Sequence, residues 1–137
     1  MSYNVFFISL GCAKNQVNCE QMMATVQHAG HNIVLSPEGA DVAVVNTCGF
    51  LASACEEAID NILEMAELKQ EGRLKKIIVT GCMAQRYKDD VLRELPEVDA
   101  VLGTGSYHKI VEAVEAVARG EKYASFEDKN AAPLGGE

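Results

Sequence analysis

Three of the five cysteines in this 137-residue chain stand where an apolar run gives out. Val5-Phe6-Phe7-Ile8-Ser9-Leu10 leads into Gly11-Cys12, Val42-Ala43-Val44-Val45-Asn46-Thr47 into Cys48-Gly49, and Ile77-Ile78-Val79-Thr80-Gly81 into Cys82. Each thiol flanks a glycine, which lets backbone come close to a bulky group. Each also precedes a helical pattern, whose N-terminal dipole favours the thiolate. Three soft donors gathered in one place suit zinc or an iron–sulfur cluster. Structural zinc favours four closed ligands, commonly in local Cys-x-x-Cys pairs, whereas 36 and 34 residues separate these thiols. Three cysteines on an iron–sulfur cluster leave one iron open, which suits substrate or sulfur chemistry better than electron transfer. His108, which follows the last strand, is the candidate fourth donor; His28 and His31 flank Gly30, far from Cys12, and all three histidines read otherwise as surface or helix-terminal residues.

Cys19 and Cys55 are of a different kind. Cys19, Met22, Met23 and Val26 fall at i, i+3, i+4 and i+7, and Cys55, Ala58, Ile59, Ile62, Leu63 and Ala66 continue that spacing on a second helix. Both thiols lie on apolar helical stripes, where free cysteine is a good small core residue; the sharper alternative is that one of them supplies a fourth ligand or a sulfur that exchanges. Around the three strand-end thiols, Lys14, Asn15, Asn46 and Thr47 are candidates for tuning a bound group through hydrogen bonds and charge. Their competing reading is loop satisfaction for Asn15, Asn46 and Thr47, and solvation for Lys14. Other thiol chemistries fit poorly. Asn18, Ala54 and Lys88 stand where a phosphatase loop needs arginine, there is no Cys-x-x-Cys pair, and Gly11-Cys12-Ala13-Lys14-Asn15 is no dinucleotide fingerprint.

Strand and helix patterns alternate to position these residues. Strands are expected at 4–9, 32–35, 42–46, 76–80 and 99–102, and helices at 15–29, 52–70, 84–95 and 106–119. Gly30, Gly72 and Gly120 end three helices, Pro96 closes another, and Ser53 with Glu56 reads as a capping box. The continuous apolar strands belong in a parallel sheet covered on both faces. The expectation is an α/β, doubly wound, flavodoxin-like domain of five parallel strands in the order 2-1-3-4-5. In that order the strands ending at Cys12, Cys48 and Cys82 are neighbours about 4.8 Å apart, at the edge where such sheets bind ligands.

Residues 1–120 read as one domain and 121–137 as a linker or terminal tail, since periodicity fades there. Twelve basic against twenty acidic side chains, a net charge of −8, argue against this domain gripping nucleic acid directly. The amino terminus carries no signal-peptide pattern and no apolar run is long enough to span a bilayer. A cytoplasmic setting follows, in which five cysteines serve as ligands, reactive thiols or core residues.

The ordered set Ser9-Leu10-Gly11-Cys12-Ala13-Lys14-Asn15, Asn46-Thr47-Cys48-Gly49-Phe50 and Thr80-Gly81-Cys82 resembles the amino-terminal domain of the radical-SAM methylthiotransferases. The likeness covers about residues 3–120. Leu-Gly-Cys-x-Lys-Asn, Thr-Cys-Gly-Phe and Glu56-Glu57-Ala58-Ile59-Asp60 are more similar to the branch that modifies a ribosomal protein than to the tRNA branch. The resemblance implies that Cys12, Cys48 and Cys82 ligate an auxiliary 4Fe-4S cluster whose open iron holds the sulfur to be transferred. It implies further domains: one with a second 4Fe-4S cluster that cleaves S-adenosylmethionine to make a radical, and a TRAM domain that helps hold substrate. The reaction implied is methylthiolation of the β-carbon of an aspartate in a small-subunit ribosomal protein. The chain contains no Cys-x-x-x-Cys-x-x-Cys, so by itself it is expected to hold a cluster without starting the reaction. A tRNA substrate, or a non-catalytic zinc- or partner-binding module, are the alternatives.

Overall fold

The computed structural model describes residues 3–9, 13–47, 52–81, 93, 95–103 and 107–125, with the side chains of 13–18, 52–55 and 107 outside that description. Chain order is β1 (Asn4–Ser9), α1 (Ala13–His28), β2 (Asn32–Val34), β3 (Val42–Thr47), α2 (Ala52–Gln70), β4 (Lys76–Gly81), β5 (Ala100–Leu102), a 3-10 turn (Tyr107–Lys109), α3 (Ile110–Ala118) and β6 (Tyr123–Ser125). All strand pairings are parallel, in the order β2-β1-β3-β4-β5-β6. The α/β class and the 2-1-3-4-5 core of the sheet are as expected.

The sheet has six strands where the sequence suggests five. Residues 123–125 are too short and too polar in their surroundings to make an apolar run. They are held in place by tertiary contacts: Tyr123 packs against the core and Lys122 Nζ donates to the carbonyls of Pro96 (3.2 Å) and Val98 (2.9 Å). The last helical stretch opens as a 3-10 turn before α3. The helix expected at 84–95 falls almost wholly outside the described residues, as does the Ser53 side chain of the expected capping box.

The strands explain themselves by which side each residue faces. Val42 and Val44 of β3 and Ile78 of β4 pack with Met22 and Val26 of α1 and Ile110, Val114 and Val117 of α3. Ala43 and Val45 of β3 with Ile77 and Val79 of β4 pack against Ala58, Ile62, Met65 and Ala66 of α2. Helices therefore cover both faces, and the central strands are apolar on both sides through Val42–Val45 and Ile77–Val79. At roughly 25 cal/mol per Å², burial of these aliphatic side chains is the main force holding the sheet between its helices.

His31 departs from its surface reading: it is buried, at 4% exposure. Its Nδ1 accepts the backbone N–H of Tyr3 at 3.2 Å, so its proton sits on Nε2, which faces Glu115 Oε2 at 3.2 Å. The Tyr3 ring stacks on it with centroids 5.3 Å apart. Spacing alone gave no hint of this, because the ring is buried by the start of β1 and by α3, both remote in sequence.

Candidate metal centre

In a parallel sheet all carboxyl ends emerge at one edge, and register decides which lie side by side. Ser9 of β1 is the partner of Asn46 of β3, Asn46 of Thr80 in β4, and Thr47 of Gly81. Ser9, Asn46 and Thr80 therefore form one row across three adjacent strands, and Thr47 and Gly81 extend β3 and β4 one residue beyond it. Cys12 follows the end of β1 by three residues, and Cys48 and Cys82 follow β3 and β4 directly. The three cysteines themselves lie outside the described residues. Among the described residues, no group of three or more His, Cys, Asp or Glu side chains is placed to hold a metal ion.

The described part of this edge is a buried polar layer. Asn46, Thr47 and Thr80 are fully buried. They continue β3 and β4 where the valines and isoleucines stop, and polar groups this deep must find partners. Thr47 Oγ1 donates to the Thr80 carbonyl at 2.6 Å, and Thr80 Oγ1 donates to Asn46 Oδ1 at 3.0 Å. These two bonds stitch the carboxyl ends of β3 and β4 together.

Gly81 completes the layer by lacking a side chain. Its φ of +100° is one that L side chains rarely adopt. A Cβ there would run into the Thr47 carbonyl oxygen and lie 2.9 Å from both Asn46 Oδ1 and Thr47 N. From sequence, Gly81 is expected only to let backbone approach a bulky group beside Cys82, and Thr80 stands in the Thr80-Gly81-Cys82 motif with no role. A glycine directly before a strand-end cysteine, one residue after a buried threonine, is the sequence feature that carries their importance.

Asn46 and Thr47 thus sit at the row of strand ends. Lys14 and Asn15 lie in the first turn of α1, immediately after Cys12, with their side chains outside the description. Cys19, farther along α1, is buried at 4% exposure. Burial, and secondarily the charge of Glu20, push its thiol from 9.0 up to about 11. Its burial on the apolar stripe of α1 fits the reading of a small core residue. Cys55 stands on α2 with its side chain outside the description. His108 is exposed in the 3-10 turn and lines a groove of about 280 Å³ with Gln21, Met22 and Thr25 of α1.

Residues 4–103 match the model of the uncharacterized protein family UPF0004. The chain belongs to that family. Curated relatives are ribosomal protein uS12 methylthiotransferases. One from Lachnoclostridium phytofermentans is 53% identical over 90% of this chain and 28% of its own length. One from Caldicellulosiruptor saccharolyticus is 52% identical over 91% and 28%, and one from Syntrophomonas wolfei 51% over 87% and 27%. The chain thus spans under a third of these relatives. The isolated REC domain of RcsB from Salmonella enterica serovar Typhimurium shares the fold, with a TM-score of 0.59 at 14% identity, over 99% of this chain and 100% of that one. No helix among the described residues is long and apolar enough to cross a membrane.

Proposed function

We propose that this chain is the amino-terminal, cluster-carrying domain of a methylthiotransferase whose target is an aspartate of the small-subunit ribosomal protein uS12. The carrying observation is the register: β1, β3 and β4 are adjacent, Ser9, Asn46 and Thr80 stand in one row with Thr47 and Gly81 paired one residue further on, and each strand is followed within three residues by a cysteine. Three thiolates from one sheet edge form a donor set suited to a 4Fe-4S cluster. Cys12, Cys48 and Cys82 hold it, and its fourth iron keeps a position for the sulfur that is transferred. Asn46 and Thr47 end β3 just before Cys48, and Lys14 and Asn15 follow Cys12 by two and three residues; donors and positive charge there would stabilise anionic sulfur.

The names borne by the relatives support the reaction class and the ribosomal target. S-adenosylmethionine cleavage and the second 4Fe-4S cluster are assigned to the remainder of a longer polypeptide, together with the TRAM domain. By this account the 137-residue chain alone takes up a cluster and transfers nothing. The setting proposed is the cytoplasm.

Anaerobic reconstitution with iron and sulfide tests this. The expected product has about four irons and four sulfides per chain and a broad visible absorption. Both are lost in Cys12→Ala, Cys48→Ala and Cys82→Ala and kept in Cys19→Ala and Cys55→Ala. Stoichiometric zinc with no iron–sulfur absorption would overturn the reading in favour of a structural metal module.

A further inference from the structure

We propose that Thr80 is a positioning residue for Asn46, and through it for the anionic sulfur at the carboxyl edge. What the Asn46 amide faces rests on the cluster reading above; how the amide is held rests on the described geometry alone. Two consecutive residues of β4 address the same atom. Thr80 Oγ1 donates to Asn46 Oδ1 at 3.0 Å, and the missing side chain of Gly81 leaves space that a Cβ would occupy 2.9 Å from that oxygen. One residue holds the carboxamide by its oxygen and the next keeps its seat open. Both Thr80 and Asn46 are fully buried and are register partners, so the bond spans adjacent strands and moves only if the sheet does.

The orientation has a chemical consequence. A carboxamide carries one acceptor oxygen and two N–H donors. With its oxygen engaged by Thr80, the hydrogen-bonding capacity that Asn46 offers elsewhere is chiefly that of a donor. Asn46 lies two residues before Cys48, and its partner Thr80 two before Cys82. N–H donors near thiolate or sulfide stabilise negative charge, and stabilise the more negative reduced state more, which raises a cluster's potential. A carboxamide free to turn over would present oxygen to sulfur and do the reverse.

The test uses Thr80→Val, which keeps the shape and removes the donor, and Thr80→Ser, which keeps the hydroxyl. In the 15N-labelled chain without iron, the Asn46 side-chain NH2 resonances are expected to move in Thr80→Val and to stay near wild type in Thr80→Ser. In the reconstituted chain, Thr80→Val is expected to shift the midpoint potential to more negative values, Thr80→Ser to restore it, and Thr80→Val combined with Asn46→Leu to add nothing beyond Asn46→Leu alone. Unmoved Asn46 resonances in Thr80→Val would overturn the proposal. So would an unshifted potential, or shifts that add independently in the double variant. A wild-type chain that takes up no cluster would end the function proposed above, while the Asn46 resonances would still decide whether Thr80 holds the amide.

Discussion

One methyl group at position 81 would meet three atoms of β3 at once, on a backbone whose φ of +100° already disfavours any side chain. Gly81→Ala is therefore expected to destabilise the chain by about 3 kcal/mol or more, from the strained backbone and the overpacking together. Chemical denaturation followed by circular dichroism measures it; a change under about 1 kcal/mol would mean that the edge is less tightly packed than described. Cys19 gives a second prediction at this scale, in the opposite pH range from most ionisable groups. Its thiol is raised to about 11 in the folded chain against 9.0 ordinarily. The folded state thus favours the protonated form, a contribution fully present below pH 9 and lost as pH rises toward 11. Thermal melting of wild type and Cys19→Ala from pH 8 to 11 should show wild type losing stability more steeply. Parallel slopes would contradict the burial of the thiol.

At the scale of elements, β6 and the buried ion pair beneath it decide how the sheet ends. Asp99, only 5% exposed, accepts from Lys69 Nζ at 2.9 and 3.1 Å and from the Ile77 backbone N–H at 3.0 Å, with Lys122 Nζ 3.6 Å away. Removing the carboxylate in Asp99→Ala strands a partly buried ammonium and a buried amide. The expected cost is about 3 kcal/mol, at the low end for breaking a buried pair because both lysines keep some solvent. Lys122→Ala should cost about 1 kcal/mol or less globally. It should nevertheless speed hydrogen exchange at the amides that tie β6 to its neighbours, Gly103 to the Ser125 carbonyl and Tyr123 to the Asp99 carbonyl. Unchanged exchange there would show that Lys122 is not what docks the strand. These contacts also show why β6 escapes sequence reading while β3 and β4 do not. The long apolar runs announce themselves through their own composition, whereas Tyr123–Ser125 becomes a strand only because an edge and an anchoring lysine are waiting for it.

Across the whole molecule the two edges of the sheet are built differently. Near the starts of the strands, polar residues pair across the chain: His31 with Tyr3 and Glu115, Asp41 with Asn4 and Lys75, Asp99 with Lys69 and Lys122. That amino edge is closed by its own partners. At the carboxyl edge the described ends of β3 and β4 form a buried layer of Asn46, Thr47 and Thr80, and in sequence a cysteine follows each of β1, β3 and β4. The cysteines, their glycines and the alternation of elements were legible in the sequence, because strand ends, helix starts and thiols are all local features. The bond that Thr80 makes to Asn46 and the space that Gly81 leaves beside it were not, because they arise from register between strands more than thirty residues apart, and His31 was misread because the groups that bury it, Tyr3 and Glu115, are remote in sequence. Fold and candidate site agree at one point: a parallel sheet in this order makes neighbours of the three strands that carry the thiols.

Mössbauer spectroscopy of the chain reconstituted with 57Fe under anaerobic conditions tests that point most directly. Three thiolates on one cluster leave one iron with a different ligand, so the account predicts a 4Fe-4S signal with one iron site distinguishable from the other three, shifted selectively when a small thiol or sulfide is added. A spectrum of isolated thiolate-bound iron, or of two-iron clusters bridging separate chains, would contradict it, because the three thiols would then not meet over a single sheet edge.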